Sequence, residues 1–388
     1  MEENKKFQQD KVITISFAHF VHDVYTSFLA PILPLLIEKF SLSLSFVSFL
    51  TVIQRAPSLF NPVVGYFADI FPIRYVLIAI PALSAVMMSF IGLMPSVSLI
   101  VILLLASGIG ASLFHVPAPI MVKHVSGNRI GKGMSYFMLG GEIARSLGPL
   151  YILGGISLWG LEGTYRLLPL GLLASLLLYF KFRNIPIAGE LNKKKKETGA
   201  IKVLKEQSRM FVSIGGIFFF TSLVKSSLTT FLPTYMTENG ASLWVGGISL
   251  SIIQFAGAAG TLFSGSISDK IGRRFTLMFM AIISPFLLLL FVFVSHTMFA
   301  IPVLILIGFI MFATIPVLLA EVNTIKSEHS GLINGIFMTL NFAIGALSLL
   351  LIGIFGDYLG LKTTYILSAF IGFGAIYFVS RLPKTDRV

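Results

Sequence analysis

Eight ionisable residues sit in otherwise apolar stretches of this 388-residue chain: His19, His22, Asp23, Arg55, His115, Glu142, Arg145 and Lys225. A charge at bilayer depth is costly, and where a chain keeps one it usually has a use for it. His19 and Asp23 are four residues apart and share one helix face. A carboxylate beside imidazoles can exchange protons near neutral pH. Asp23, Glu142, His19 and His22 are therefore the candidate proton-coupling groups, with Arg55 and His22 as the expected partners of Asp23. The His19-x-x-x-Asp23 spacing would also suit a metal, but no Cys/His cluster accompanies it, and neither a metal nor another cofactor is expected.

Glu142 and Arg145 are three residues apart and can pair on one helix. The pair can be a neutralised structural element. Alternatively, protonation of Glu142 would free Arg145 to bind an anion. Arg55 and Lys225 lie near the middle of their apolar stretches, and Arg55 could instead pair with Asp23 or Glu142. Three cations against two carboxylates tilt the inventory toward an anionic or zwitterionic substrate, for which arginine offers a fork and lysine a point charge. Helical phase places Tyr25, Phe114, Tyr136 and Phe231 near this set. With Arg55, His115, Arg145 and Lys225 they form the expected substrate-contact group.

The elements that must hold these residues are membrane spans. Hydrophobic residues make up 55% of the chain and charged residues 12%, and the mean hydropathy is +0.89. That is outside the range of soluble globular domains. Spans are expected near 12–37, 45–68, 74–94, 98–123, 131–156 and 164–181, then near 210–236, 243–267, 275–295, 299–320, 331–355 and 362–380. The apolar run after the polar first eleven residues is too long for a signal-peptide core, so an uncleaved first span is expected. The chain has no cysteine, which excludes disulfides and thiolate chemistry. No phosphate-binding glycine loop or nucleophile elbow appears, so an enzyme is not expected.

A phrase recurs 200 residues apart. Gly65-Tyr-Phe-Ala-Asp69-Ile-Phe-Pro-Ile-Arg74 aligns with Gly265-Ser-Ile-Ser-Asp269-Lys-Ile-Gly-Arg273-Arg274. At the same offset Gly131 matches Gly331, Phe137-Met138 matches Phe337-Met338, and Leu147 matches Leu347. Such duplication predicts an all-α membrane protein of twelve transmembrane helices in two pseudo-symmetric six-helix bundles. The expected domains are residues 1–181, a basic cytoplasmic linker at 182–209 containing Lys193-Lys-Lys-Lys196, and residues 210–388. Asp69, Arg74, Asp269, Arg273 and Arg274 fall at membrane edges, where gating suits them better than substrate contact. Glu321 is expected in the same edge network. The ionisable set does not repeat: Glu142 aligns with Phe342 and Arg145 with Gly345. That asymmetry suits proton coupling in one half, with substrate contacts shared by both.

With both termini on one side, that side holds 23 Lys/Arg and the opposite side three, Lys39, Arg166 and Lys362. The positive-inside rule then places both termini in the cytoplasm. The net charge of +12 is mostly this topology signal, and no basic soluble domain is present to bind nucleic acid.

The repeated Gly-x-x-x-Asp…Arg phrase resembles the loop motif of the major facilitator superfamily. Gly141…Gly148-Pro149…Gly154-Gly155 resembles the antiporter motif of drug–proton exporters. Within that superfamily the N-terminal half is similar to the fosmidomycin-resistance exporters. The residues that carry this are His19-x-x-x-Asp23 with Pro34-Leu-Leu, Pro62-Val-Val-Gly65-Tyr66 with Asp69 and Pro72, Gly108-x-Gly110-x-x-x-Phe114-His115, and Ser146-Leu-Gly-Pro149-Leu. The resemblance implies a proton-coupled antiporter of the inner membrane that exports a small anionic or amphiphilic compound and so confers drug resistance. The expected partners are that solute, protons and the bilayer, and a monomer is the expectation. The alternatives are a proton-coupled importer of a small organic anion and a non-transporting scaffold or sensor. The intramembrane charges argue against the last, since a scaffold has no need of them.

Overall fold

Inside a bilayer a backbone must satisfy its own hydrogen bonds, so long apolar segments become helices. The computed structural model describes residues 7–61, 64, 74–183, 207–322 and 330–382, and among these no strand occurs. Among the described residues nine helical segments are long and apolar enough to cross a membrane, and each expected span has a helix over at least part of its length.

The helices of the first half are α1 (Gln9–Thr26), α2 (Leu29–Phe40), α3 (Leu44–Arg55), α4 (Arg74–Ser89), α5 (Val97–His115), α6 (Pro117–Ser126), α7 (Ile130–Trp159) and α8 (Pro169–Phe182). The first pair forms a single span, Gln9–Phe40. In the second half they are α9 (Ser208–Glu238), α10 (Leu243–Ile271), α11 (Arg273–Val294), α12 (Ala300–Val322), α13 (Ser330–Gly372) and α14 (Ala375–Ser380). Gly360, at φ 76, breaks α13 in two. Gly272, at φ 93, separates α10 from α11. A side chain at either position would be strained.

The chain divides into two compact units, Met1–Ser41 with Leu50–Asn192, and Leu42–Phe49 with Lys193–Val388. The first has a core of Val12, Ile15, Leu77, Phe114, Phe137 and Leu178. The second has one of Ile214, Phe218, Leu277, Val317, Phe337 and Val379. Also in the second unit, Asp357 accepts hydrogen bonds from the backbone N–H groups of Leu44 (2.6 Å) and Ser45 (2.9 Å) at the start of α3. The expected linker falls almost wholly on residues outside those described.

The repeat extends to packing. A Cβ on Gly108 would lie 2.1 Å from the carbonyl oxygen of Gln54, and one on Gly308 would lie 2.5 Å from that of Ile253. In each unit the same glycine of α5 or α12 lets two helix backbones touch, as small residues do in membranes. Gly260 on α10 makes a similar approach, where a Cβ would meet the Phe309 oxygen at 1.9 Å, whereas a Cβ on Gly265 of the same helix would meet nothing within 4 Å. Gly260→Ala should therefore destabilise the fold by about 1–3 kcal/mol through overpacking. Gly265→Ala should be neutral or slightly stabilising. Thermal unfolding of the two variants checks the contrast, and equal effects would contradict this packing.

Candidate functional site

Two helices build the centre of the first unit, and glycine decides how close they come. On α7, Gly141 and Gly148 are seven residues apart and face α1. A Cβ at Gly141 would lie 2.6 Å from His19 Cε1 and 3.0 Å from Asp23 Oδ2, and one at Gly148 would lie 1.8 Å from Ser27 Oγ. This approach carries Glu142 and Arg145 to the ionisable turn of α1. The glycines that look like an antiporter motif in the sequence thus have a local structural reason.

Asp23 is 3% exposed and meets three basic groups. Arg145 Nη1 is 3.2 Å from Oδ2, His19 Nε2 is 3.4 Å from Oδ2, and His115 Nε2 is 3.2 Å from Oδ1. The other arm of Arg145 pairs with Glu142. One guanidinium therefore bridges two carboxylates, Asp23 on α1 and Glu142 on α7. Arg145 and His115 are each more than one-third exposed, while Asp23 is enclosed. A buried carboxylate with several partners is held strongly, and removing one partner leaves an uncompensated charge.

Around this core His19 Nδ1 donates to the Phe137 carbonyl oxygen at 2.7 Å, and its ring stacks on Phe137 with centroids 4.0 Å apart. His22 is fully buried. Its Nδ1 meets Ser84 Oγ at 2.8 Å, and its ring stacks on Phe114. The partner of Asp23 is thus Arg145 rather than the expected Arg55, and His22 turns to Ser84 instead. Arg55 is exposed at the end of α3, where the charge acting on it is that of Arg145.

The other expected site residues scatter. Phe114 packs against His19 and His22. Tyr25 is buried and donates to the Leu167 carbonyl oxygen at 2.5 Å. Tyr136 is half-buried beneath Lys132. In the second unit Phe231 lies in the core, and Lys225 Nζ stands 4.6 Å over the Phe312 ring. Asp269 is exposed and pairs with Arg273 at 3.5 Å. Arg273 also reaches the buried Glu321 at 3.8 Å and donates to the Ala320 carbonyl oxygen at 3.1 Å. Arg274 donates to the Ser380 carbonyl oxygen at 2.6 Å. Asp69 and the side chain of Arg74 lie outside the described residues. Sequence reasoning missed Ser84 and the Phe137 carbonyl; a serine and a backbone oxygen carry no signal in an apolar segment.

Arg145→Met removes the shared cation. Losing one partner of a buried pair costs about 3–5 kcal/mol, and the partial exposure of Arg145 should reduce this to about 1–3 kcal/mol. The double variant Arg145→Met/Asp23→Asn should regain part of the loss, because the stranded charge goes with its partner. Unfolding measured on both, with additive effects, would contradict the bridge.

The comparisons with known proteins follow this geometry. The family model described as Major Facilitator Superfamily matches residues 15–349. The chain is 28% identical over 365 residues to the fosmidomycin resistance protein of Escherichia coli (strain K12), covering 92% of this chain and 89% of that one. It is 24% identical over 372 residues to YfnC, an uncharacterized MFS-type transporter of Bacillus subtilis (strain 168), covering 93% and 90%. Among solved structures it is similar to the nucleoside transporter NupG, with a TM-score of 0.74, 15% identity, and 97% and 99% of the two chains covered. It is also similar to a bacterial homolog of the human lysosomal transporter Spinster, with a TM-score of 0.72, 16% identity, and 98% and 95% covered. A family match spanning most of the chain, on an all-helical membrane fold shared with solved transporters, places this multi-pass membrane protein in the major facilitator superfamily, as a transporter rather than an enzyme.

Proposed function

We propose that the protein is a proton-driven antiporter that exports a small anionic or amphiphilic compound across the inner membrane, working as a monomer. Residues 1–181 and 210–388 are the two bundles, joined by linker 182–209, and both termini lie in the cytoplasm. The observation that carries this reading is the bridge Asp23–Arg145–Glu142, with His19 and His115 on the same carboxylate. Two acids sharing one arginine form a unit whose charge changes with one proton. Protonation within the cluster leaves Arg145 to one acid or to a substrate anion.

Arg55, beside Arg145, supplies further positive charge for such an anion, and Lys225 is the candidate substrate cation of the second unit. The resistance activity named for the Escherichia coli relative supports fosmidomycin, a phosphonate, as the first compound to test. The edge network Asp269–Arg273–Glu321 serves gating with Arg274, and Asp69 and Arg74 match Asp269 and Arg274 in the repeat.

In proteoliposomes with an imposed pH gradient, fosmidomycin movement should be accompanied by proton flux. Asp23→Asn should abolish uphill transport, by at least about tenfold, yet preserve downhill exchange, because proton coupling depends on the Asp23 charge. If Asp23→Asn still accumulates substrate while Glu142→Gln does not, coupling belongs to α7 alone. Orientation has its own test, since the chain lacks cysteine. An impermeant thiol reagent added outside should label a cysteine placed at Ser96 and not one at Ser330; the reverse pattern would invert the topology.

A further inference from the structure

His19 is fixed in an unusual way. Its Nδ1 lies 2.7 Å from the Phe137 carbonyl oxygen. A carbonyl only accepts, so Nδ1 carries a hydrogen, and in a neutral imidazole the other nitrogen is then bare. That nitrogen, Nε2, faces Asp23 Oδ2 at 3.4 Å, with both side chains about 95% buried. A carboxylate oxygen is also only an acceptor. A neutral His19 would thus oppose two lone pairs in a water-poor interior.

The neighbours do not relieve this. From α7, Arg145 reaches Oδ2 from its own side at 3.2 Å, and Glu142 is turned to Arg145. From α5, His115 sits on the other oxygen, Oδ1. On α1, His22 meets Ser84 of α4. Arg55 of α3 feels the charge of Arg145. None of these puts a hydrogen between His19 Nε2 and Oδ2. Because Oδ2 already accepts from Arg145, the hydrogen belongs on the ring.

We infer that His19 is held as an imidazolium against the Asp23 carboxylate, and that the exchangeable proton of this site sits on His19 Nε2 while Asp23 stays ionised as its anchor. The transport role of that proton rests on the proton-coupled reading above. Two cations, Arg145 and His19, then answer the two carboxylates Asp23 and Glu142. When Nε2 gives its proton to water, the products are a neutral imidazole and hydronium, and no other reactant is needed. One carboxylate is left uncompensated, and two lone pairs oppose each other where α1 crosses Gly141 of α7. The protonated and deprotonated states therefore favour different packings of that crossing. A divalent metal would answer part of the same geometry, since ligand atoms of His19, Asp23 and His115 lie within 4.8 Å of one another. The guanidinium on Oδ2 opposes a second dication there.

The test uses the full chain labelled with 15N-histidine in lipid nanodiscs, with the His19 resonances assigned by their loss in His19→Gln. At pH 7 both His19 ring nitrogens should be protonated. In Asp23→Asn, with the carboxylate gone, Nε2 should be bare at the same pH. An unprotonated Nε2 at pH 7 in the wild type would overturn the inference, as would loss of that proton signal on adding stoichiometric Zn²⁺ alone. His19→Gln keeps a donor for Phe137 but cannot titrate, so it should lose coupled fosmidomycin transport; coupled transport in this variant would also overturn it. If the wild type shows the imidazolium but no fosmidomycin-dependent proton flux, the antiport reading fails and the His19 assignment stands.

Discussion

A carboxylate inside a membrane must be answered by a cation or a proton, and much of the first unit is arranged around answering Asp23. The backbone of α7 approaches α1 at Gly141 and Gly148, where side chains would collide. That approach brings Arg145 to Asp23 across 122 residues of sequence. The same guanidinium takes Glu142 from its own helix, and two histidines close the remaining faces. Remove the glycines and the arginine stands off; remove the arginine and two acids lose their shared partner. Packing and electrostatics are one constraint here.

The second unit shows what the same scaffold looks like without that constraint. Its glycine contact at Gly308 repeats the one at Gly108, yet the positions matching Glu142 and Arg145 are Phe342 and Gly345. At a helix end of this unit Arg273 ties Asp269 to Glu321. Duplication conserves backbone approach because a helix crossing tolerates little change. Charge is free to diverge because each unit can balance its own.

The spans were legible in the sequence because lipid leaves a long apolar segment one choice, the helix. The Glu142–Arg145 pair and the His19–Asp23 pair were legible because helical spacing fixes which side chains meet along one helix. What spacing cannot reveal is which helices cross, and at what depth. Charge and spacing alone therefore point Asp23 to Arg55 and His22, while the close approach at Gly141 gives it to Arg145. Tyr25 and Phe231 had the right helical phase for a substrate wall, but phase does not distinguish a cavity from a core, and both are buried. The Phe137 carbonyl, which sets the tautomer of His19, could not be read from sequence, because every residue has one.

The central claim is that the charge cluster of the first unit exchanges a proton when an anion occupies the transporter. The most direct measurement is proton release on fosmidomycin binding to the purified protein in weakly buffered solution, followed with a pH indicator while calorimetry records binding. The account predicts that binding releases protons over a range of pH near neutrality, and that the release disappears when the Asp23 cluster is neutralised. Fosmidomycin binding with no proton released at any pH would contradict it.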